Sequence, residues 1–204
     1  MKVKFLIIMS LAIFAISGCA YYQRPRNTDE LEIENRKLQA KLSQQDMEFS
    51  ELERAKHELE IALKKEITNY KAKLELTERG LVITFLSEVF FDSGTQEIRE
   101  DGKESLKSVA KVLNQNVPNS NVAIEGHTDN QPIKYSSWKS NWELSSARAL
   151  AVVHYLTEDC SVLPQRLSAN GYGEYRPVAA NNAQENMQKN RRVEIVILPS
   201  KMKK

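Results

Sequence analysis

Between Asn27 and Arg79 the chain has neither glycine nor proline, so the two strongest helix breakers are missing from a long internal stretch. Cysteine is limited to Cys19 and Cys160. Charge is nearly balanced, with 29 Lys and Arg against 27 Asp and Glu and a formal net charge of +2, which leaves no bulk attraction for nucleic acid. The apolar run from Phe5 to Ile16 falls short of the about 20 residues that a membrane-spanning helix needs. Histidine is represented by His57, His127 and His154, without an HExxH or similar metal pattern. His127 and Asp129 alternate along a strand end as a two-ligand fragment, but no third ligand is evident. Ser145 and Ser146 stand in a helical stretch with no glycine-flanked elbow. These absences argue against an enzyme, and no metal or other cofactor is expected.

What is present begins with MKVKFLIIMSLAIFAISGCA, two lysines, an apolar run and then small residues, which is the layout of a secretory signal. Ile16-Ser17-Gly18-Cys19 resembles the lipobox of bacterial lipoproteins, which implies a signal over residues 1–18 and acylation of Cys19, palmitate being a typical chain. Several acyl chains hold a protein firmly where a single one binds only marginally. Ala20 in place of an aspartate implies, by resemblance to enterobacterial lipoproteins, an outer-membrane anchor facing the periplasm. Loss of residues 1–18 removes Lys2 and Lys4 and with them the formal +2. With Cys19 lipidated, Cys160 is the remaining thiol, and no intrachain disulfide can form. Residues 19–26 then form a short tether with Pro25 as a breaker.

Residues 27–79 carry both signs of charge and spaced leucines, the composition of a long helix or coiled coil. A seam runs through Leu31, Leu38, Leu42, Phe49, Leu52, Leu59 and Leu63, with polar Asn35, Gln45 and Lys56 on it. Beyond Leu63 the apolar residues shift to Ile67, Tyr70 and Leu74, as at a stutter. Polar seam residues weaken an oligomer while fixing its register, so a modest parallel homo-oligomer through residues 31–74 is expected. At 1.5 Å per residue such a spacer reaches roughly 75 to 80 Å.

From Gly80 the period changes. Leu81 to Phe91 is rich in strand formers, Asp92-Ser93-Gly94 turns the chain, and Asp101 to Asn114 sets Leu106, Val109, Ala110 and Leu113 on one helical stripe. Strands are predicted at residues 121–126, 166–169 and 193–198, and a helix at residues 140–157 with Trp142, Ala149, Val152, Val153 and Leu156 on its apolar face. Alternating strand and helix over residues 80–199 suffices for one core. A basic tail occupies residues 200–204.

Asp129 ends an apolar strand, and Arg148 stands in the following helix. At 100° per residue Asn141, Leu144 and Arg148 share one side, offset from the Trp142 stripe, which places Arg148 at the border of the core. Border arginines commonly snorkel to solvent, and aspartates after strands commonly stabilise turns. The pair therefore reads as a structural ion pair, a fragment of an active site, or two halves of a receptor for a ligand that carries both charges.

Gly126-His127-Thr128-Asp129, Asn141-Trp142-Glu143-Leu144-Ser145-Ser146-Ala147-Arg148, Gly171-Tyr172-Gly173-Glu174 and Asn190-Arg191-Arg192-Val193-Glu194-Ile195 occur in order. With Phe91-Asp92-Ser93-Gly94 ahead of them, they resemble the signatures of the OmpA-like peptidoglycan-binding domain. The resemblance implies an α+β fold, a β-α-β-α-β arrangement with a mixed sheet, here preceded by the long helix. It also implies noncovalent binding of peptidoglycan, with Asp129 and Arg148 clasping the diaminopimelate of the stem peptide. Asn141 would add an amide contact, Leu144 an apolar wall, Thr128 a minor contact, and Arg191 and Arg192 either a ligand contact or a structural role. The long segment 130–140 is similar to that of MotB. Stator function is disfavoured, since Met1 to Gly18 contains no acid to carry ions. The expectation is an outer-membrane lipoprotein that tethers the envelope to the wall, or else a coiled-coil scaffold that wall binding merely anchors.

Overall fold

The computed structural model of the chain describes residues 28–133 and 137–199. The signal, the lipobox with Cys19, the tether and the basic tail lie outside the described residues. Among the described residues, no helix is long and apolar enough to cross a membrane. The chain divides into two compact units, residues 1–45 and 46–204.

Helix α1, Thr28–Ala62, opens with Asp29 and Glu30 in its first turn, where negative charge suits the helix dipole. In the first unit its residues Leu31, Ile33, Leu38 and Leu42 are all exposed. In the second unit Leu52, Ala55, Leu59 and Leu63 recur at steps of three and four and are buried in the same apolar cluster as the sheet residues Leu81, Ile83 and Ile195. The predicted seam therefore changes partner along its length: Leu52, Leu59 and Leu63 pack into the domain and are not available to a second helix.

The spacer was also expected to continue to Arg79, and the structure corrects this. A short helix α2, Lys64–Thr68, is followed by Tyr70 at φ 56°, and Ala72–Thr77 forms strand β1. Ala72, Leu74 and Leu76 are apolar at every second residue and join the core. That period of two marks a strand, and a seam read in steps of three and four passes over it. Strand β2, Gly80–Leu86, pairs antiparallel with β1 in the register Thr77↔Gly80. Gly80 is thus a hairpin corner and not a domain boundary.

The remaining elements fall close to expectation: helix α3 at Glu100–Gln115, strand β3 at Val122–His127, helix α4 at Asn141–Glu158, strand β4 at Leu167–Gly171 and strand β5 at Arg192–Ile197. A further helix α5, Gln184–Asn190, was not foreseen. The sheet order is β1-β2-β5-β3-β4. Strand β5 runs antiparallel to both β2 and β3, while β3 and β4 are parallel, so the fold is α+β with a mixed sheet, as anticipated. One sheet face packs against α3, α4 and the second-unit part of α1. Because β5 opposes its two neighbours, the C-terminal ends of β2 and β3 and the N-terminal end of β5 meet at one end of the sheet.

Burial of Leu59 at 0% exposure makes the end of α1 part of the domain, whereas Ile61, two residues on, is 61% exposed. Leu59→Ala should lower unfolding free energy by about 2–5 kcal/mol, and Ile61→Ala by no more than about 0.5 kcal/mol. Chemical denaturation of the two variants checks this; equal effects would detach the helix from the core.

Candidate functional site at one end of the sheet

The strand ends surround a cleft of about 560 Å³, lined among others by Ser87, Asp92, Thr128, Asp129, Leu144, Arg148 and Arg191. Strand β2 leads into a 3-10 turn at Ser87–Val89 and then the Phe91–Gly94 loop. Strand β3 delivers Thr128 and Asp129, β5 is preceded by Arg191, and α4 supplies Asn141, Leu144 and Arg148. Of the residues considered as ligand contacts, Thr128, Asp129, Asn141, Leu144, Arg148 and Arg191 are brought together here, and Arg192 is not.

Their connections remove one of the three readings of Asp129 and Arg148 and correct the placement of Arg148. The ion pair of Asp129 is with Arg191, whose Nη1 lies 2.5 Å from Oδ2, and not with Arg148. Asp129 Oδ1 also accepts the Gln131 backbone N–H at 3.1 Å, the turn-stabilising role that short acidic side chains commonly take. Arg148 is not at the core's border but buried, at 5% exposure. The buried face of α4 comprises Leu144, Ser145, Arg148, Ala149, Val152, Tyr155 and Leu156. Trp142, expected on the apolar face, is exposed and stacks on Tyr175 at 5.0 Å between ring centroids. The helix is rotated because the small Ser145 is the residue that meets the sheet: a Cβ on Gly126 would run into its carbonyl group.

Arg148 donates from Nε to the Thr95 carbonyl at 2.9 Å and from Nη2 to the Asp92 carbonyl at 3.1 Å, and its guanidinium lies 5.1 Å from the Phe91 ring centroid. The side chain thereby fixes the Phe91–Gly94 loop. Its Nη1 forms no hydrogen bond to a described residue. Burial pushes Arg148 down to about 10, the charge of Arg191 adds to that, and Asp129 opposes it. It therefore stays cationic at neutral pH. Two guanidiniums that destabilise one another, with Asp129 occupied by only one of them, leave the cleft receptive to an added carboxylate, which a guanidinium fork can grip.

Asn141 differs as well. Its amide nitrogen donates to the Asp129 carbonyl at 3.3 Å, the Gln131 carbonyl at 3.2 Å and Glu174 Oε2 at 2.7 Å. It positions the loops, and its amide protons are not free for a ligand. Thr128 is held by its own backbone N–H, which donates to the Gly173 carbonyl at 2.9 Å. Gly173 N–H in turn donates to Ser145 Oγ at 2.9 Å. Asn190 ties residues 178–181 through both amide atoms, while Arg191 lines the cleft and Arg192 is buried against Glu194.

Sequence reasoning missed Ser87. The residue lines the cleft together with Thr128, and the hydroxyls of both are buried with no hydrogen-bond partner among the described residues. Buried hydroxyls are rarely left unmet, and in a cleft they mark places where a ligand or water atom completes the set. No local pattern around Ser87 distinguishes it; only the strand-end geometry does.

A five-stranded mixed sheet with helices on one face and a charged cleft where β2, β3 and β5 end places the protein among small α+β domains that gather polar groups at strand ends. Residues 90–191 match the OmpA family, and the chain belongs to that family. It is 42% identical over 149 residues to motility protein B of Bacillus subtilis (strain 168), covering 73% of this chain and 57% of that one. The chain spans about half the length of the curated relatives it matches. Among solved structures, a MotB-like protein from Desulfovibrio vulgaris superimposes with a TM-score of 0.68 at 27% identity, covering 76% of this chain and 98% of that one. The cell wall anchor of the T6SS from Pseudomonas aeruginosa does so with a TM-score of 0.63 at 30% identity, covering 69% and 96%.

Arg148→Ala strands the Asp92 and Thr95 carbonyls and should cost about 1.5–3 kcal/mol of stability. Ser87→Ala removes an unmet hydroxyl and should leave stability within about 0.5 kcal/mol or raise it. Urea denaturation of both variants checks this pair of outcomes.

Proposed function

We propose that the cleft binds peptidoglycan noncovalently by taking the free zwitterionic end of diaminopimelate in the stem peptide, and that the protein tethers the envelope to the wall. The observation that carries the reading is a buried Arg148 guanidinium beside Asp129 and Arg191 in one cleft. Arg148, through Nη1, and Arg191 receive the carboxylate. Asp129 receives the ammonium, and the Ser87 and Thr128 hydroxyls complete the polar contacts while Leu144 walls the aliphatic stem. Membership of the OmpA family and similarity to a cell wall anchor support the same reading. The lipobox-like Ile16-Ser17-Gly18-Cys19 adds an outer-membrane lipid anchor to the proposal, with the domain in the periplasm.

A second reading has its own observation. Leu31, Leu38 and Leu42 remain exposed on the first-unit part of α1, at the seam spacing of a coiled coil. Self-association through residues 28–49, narrower than the 31–74 span read from sequence, would make the protein a multivalent tether or the scaffold of an envelope complex.

Full-length protein mixed with purified diaminopimelate-type sacculi should co-sediment. Asp129→Asn, Arg148→Lys and Ser87→Ala should each reduce retention by roughly ten-fold while circular dichroism shows a folded chain. Retention equal to wild type in all three variants would remove the cleft from the proposal. Light scattering should show an oligomer that Leu38→Glu dissociates, and a monomeric wild type would remove the coiled coil.

A further inference from the structure

The sheet face turned away from the helices carries a second polar cluster. Antiparallel pairing of β3 and β5 sets Glu125 opposite Glu194 and His127 opposite Arg192, and strand alternation turns all of these side chains to the same face. One ligand atom each from Glu125, His127 and Glu194 lies within 4.8 Å of the others. His127 is 2% exposed, and neither of its ring nitrogens has a hydrogen-bond partner among the described residues; Glu125 Oε2 is unmet as well. Tyr172 covers one side of the imidazole, with ring centroids 5.2 Å apart. A buried ring with both nitrogens unmet is costly and needs a reason. The sequence had suggested His127 with Asp129 as a two-ligand fragment; Asp129 points into the cleft, and two glutamates take its place.

We infer that Glu125, His127 and Glu194 form a binding site for a divalent transition-metal cation of the zinc type, for which the Arg79 guanidinium is the competing resident charge. Arg79 stands on the β1–β2 corner, with Nη2 2.5 Å from Glu125 Oε1 and Nη1 3.5 Å from Glu194 Oε2. Its side chain is 47% exposed, so it can swing into solvent and free both carboxylates. Arg192 stays behind, donating from Nε to Glu194 Oε1 at 2.6 Å; contacts of this kind orient metal-binding carboxylates. Imidazole and carboxylate groups both ligate zinc, and three protein ligands leave a fourth position for water. Ligand contacts of about 2.0–2.2 Å require the three groups to close in by about 1 Å.

The protonation state agrees with this. Burial first, then the charges of Arg192, Arg176 and Arg79, push His127 down to about 3, so the imidazole is neutral near neutral pH, the form that ligates metal. Besides Arg79 and Arg192, the guanidinium of Arg176 stands nearby, 3.7 Å from the centroid of the Tyr172 ring that covers His127. Charge sets the limit on affinity. With Arg79 in place two carboxylates face three guanidiniums, Arg176 included; a divalent ion in place of Arg79 raises the excess positive charge from one to two. Removal of Arg79 alone should therefore strengthen binding, an effect opposite to that expected of a residue that merely neutralises buried acids.

The test is calorimetric titration of chelator-stripped full-length protein with Zn²⁺. One ion per chain is expected, weakened by about ten-fold or more in His127→Gln and Glu125→Gln and tightened by about ten-fold in Arg79→Ala. His154→Ala controls for the exposed His154–Glu158 pair and should change nothing. Absence of binding in both wild type and Arg79→Ala at millimolar Zn²⁺ would overturn the inference. So would binding that survives in folded His127→Gln or is lost in His154→Ala. Since Arg79 is half exposed, its variant reports even where a ligand variant fails to fold.

Discussion

The close approach of helix α4 to strands β3 and β4 sets the position of Arg148, the most deeply held charge in the cleft. At Gly126 and Gly171 any Cβ would collide with the backbone of Ser145 and Ser146, so the helix lies against the strands at backbone distance. Ser145 uses its hydroxyl to accept from Gly173 N–H, which locks the Gly171–Glu174 turn to the helix. Arg148 stands three residues beyond Ser145, on the same buried face. Its guanidinium is consequently delivered to the strand ends, where the carbonyls of Asp92 and Thr95 receive it. Small residues at the contact thus determine where the large charged one arrives. The cost of burying a guanidinium is offset by two carbonyl acceptors and the face of Phe91, in keeping with the rule that buried charges need partners.

Consecutive residues at the strand ends serve two different polar sites. Arg191 turns to the cleft and pairs with Asp129, while Arg192 turns to the opposite face and pairs with Glu194. On β3, His127 joins the Glu125 and Glu194 cluster and the following Thr128 and Asp129 line the cleft. The opposed directions of Arg191 and Arg192, and of His127 and Thr128, follow from the alternation of side chains along extended chain, whereas Asp129 reaches the cleft because the chain has left β3 and turns. Each of these short motifs therefore carries two jobs, and a one-residue slip in the register of β5 would exchange the cleft arginine for the one that holds Glu194.

Much of this was legible in the sequence, for identifiable reasons. Apart from α5, the strands and helices from β2 onward carry strong periods of two or 3.6 and are bounded by glycine, proline and asparagine, so their existence and order were accessible. The cleft residues Asp129, Arg148, Leu144, Thr128 and Arg191 were found through ordered motifs. What escaped was set by tertiary packing. Strand β1 has the composition of the preceding helix and only a brief alternation, Ala72, Leu74 and Leu76, to mark it. Leu52, Leu59 and Leu63 fit a coiled-coil seam and a domain-packing stripe equally well, and only the presence of a core beside them decides. Arg148 was read as a border residue because Trp142 was taken to define the apolar face; the glycine at position 126 draws Ser145 inward and rotates that face. Ser87 and Glu194 come together with their partners only through pairing across the sheet, which no local pattern displays.

The central claim is that the cleft reads a carboxylate and an ammonium on one ligand. The most direct measurement is calorimetric titration of the full-length protein with two soluble stem peptides, identical except that one carries diaminopimelate and the other lysine. Lysine retains the ammonium and lacks the carboxylate assigned to Arg148 and Arg191. The account predicts that the diaminopimelate peptide binds at least about ten-fold more tightly, the magnitude of one lost charge-assisted hydrogen bond, and that Arg148→Lys narrows the difference. Equal affinity for the two peptides, or binding of neither by the folded protein, would contradict it.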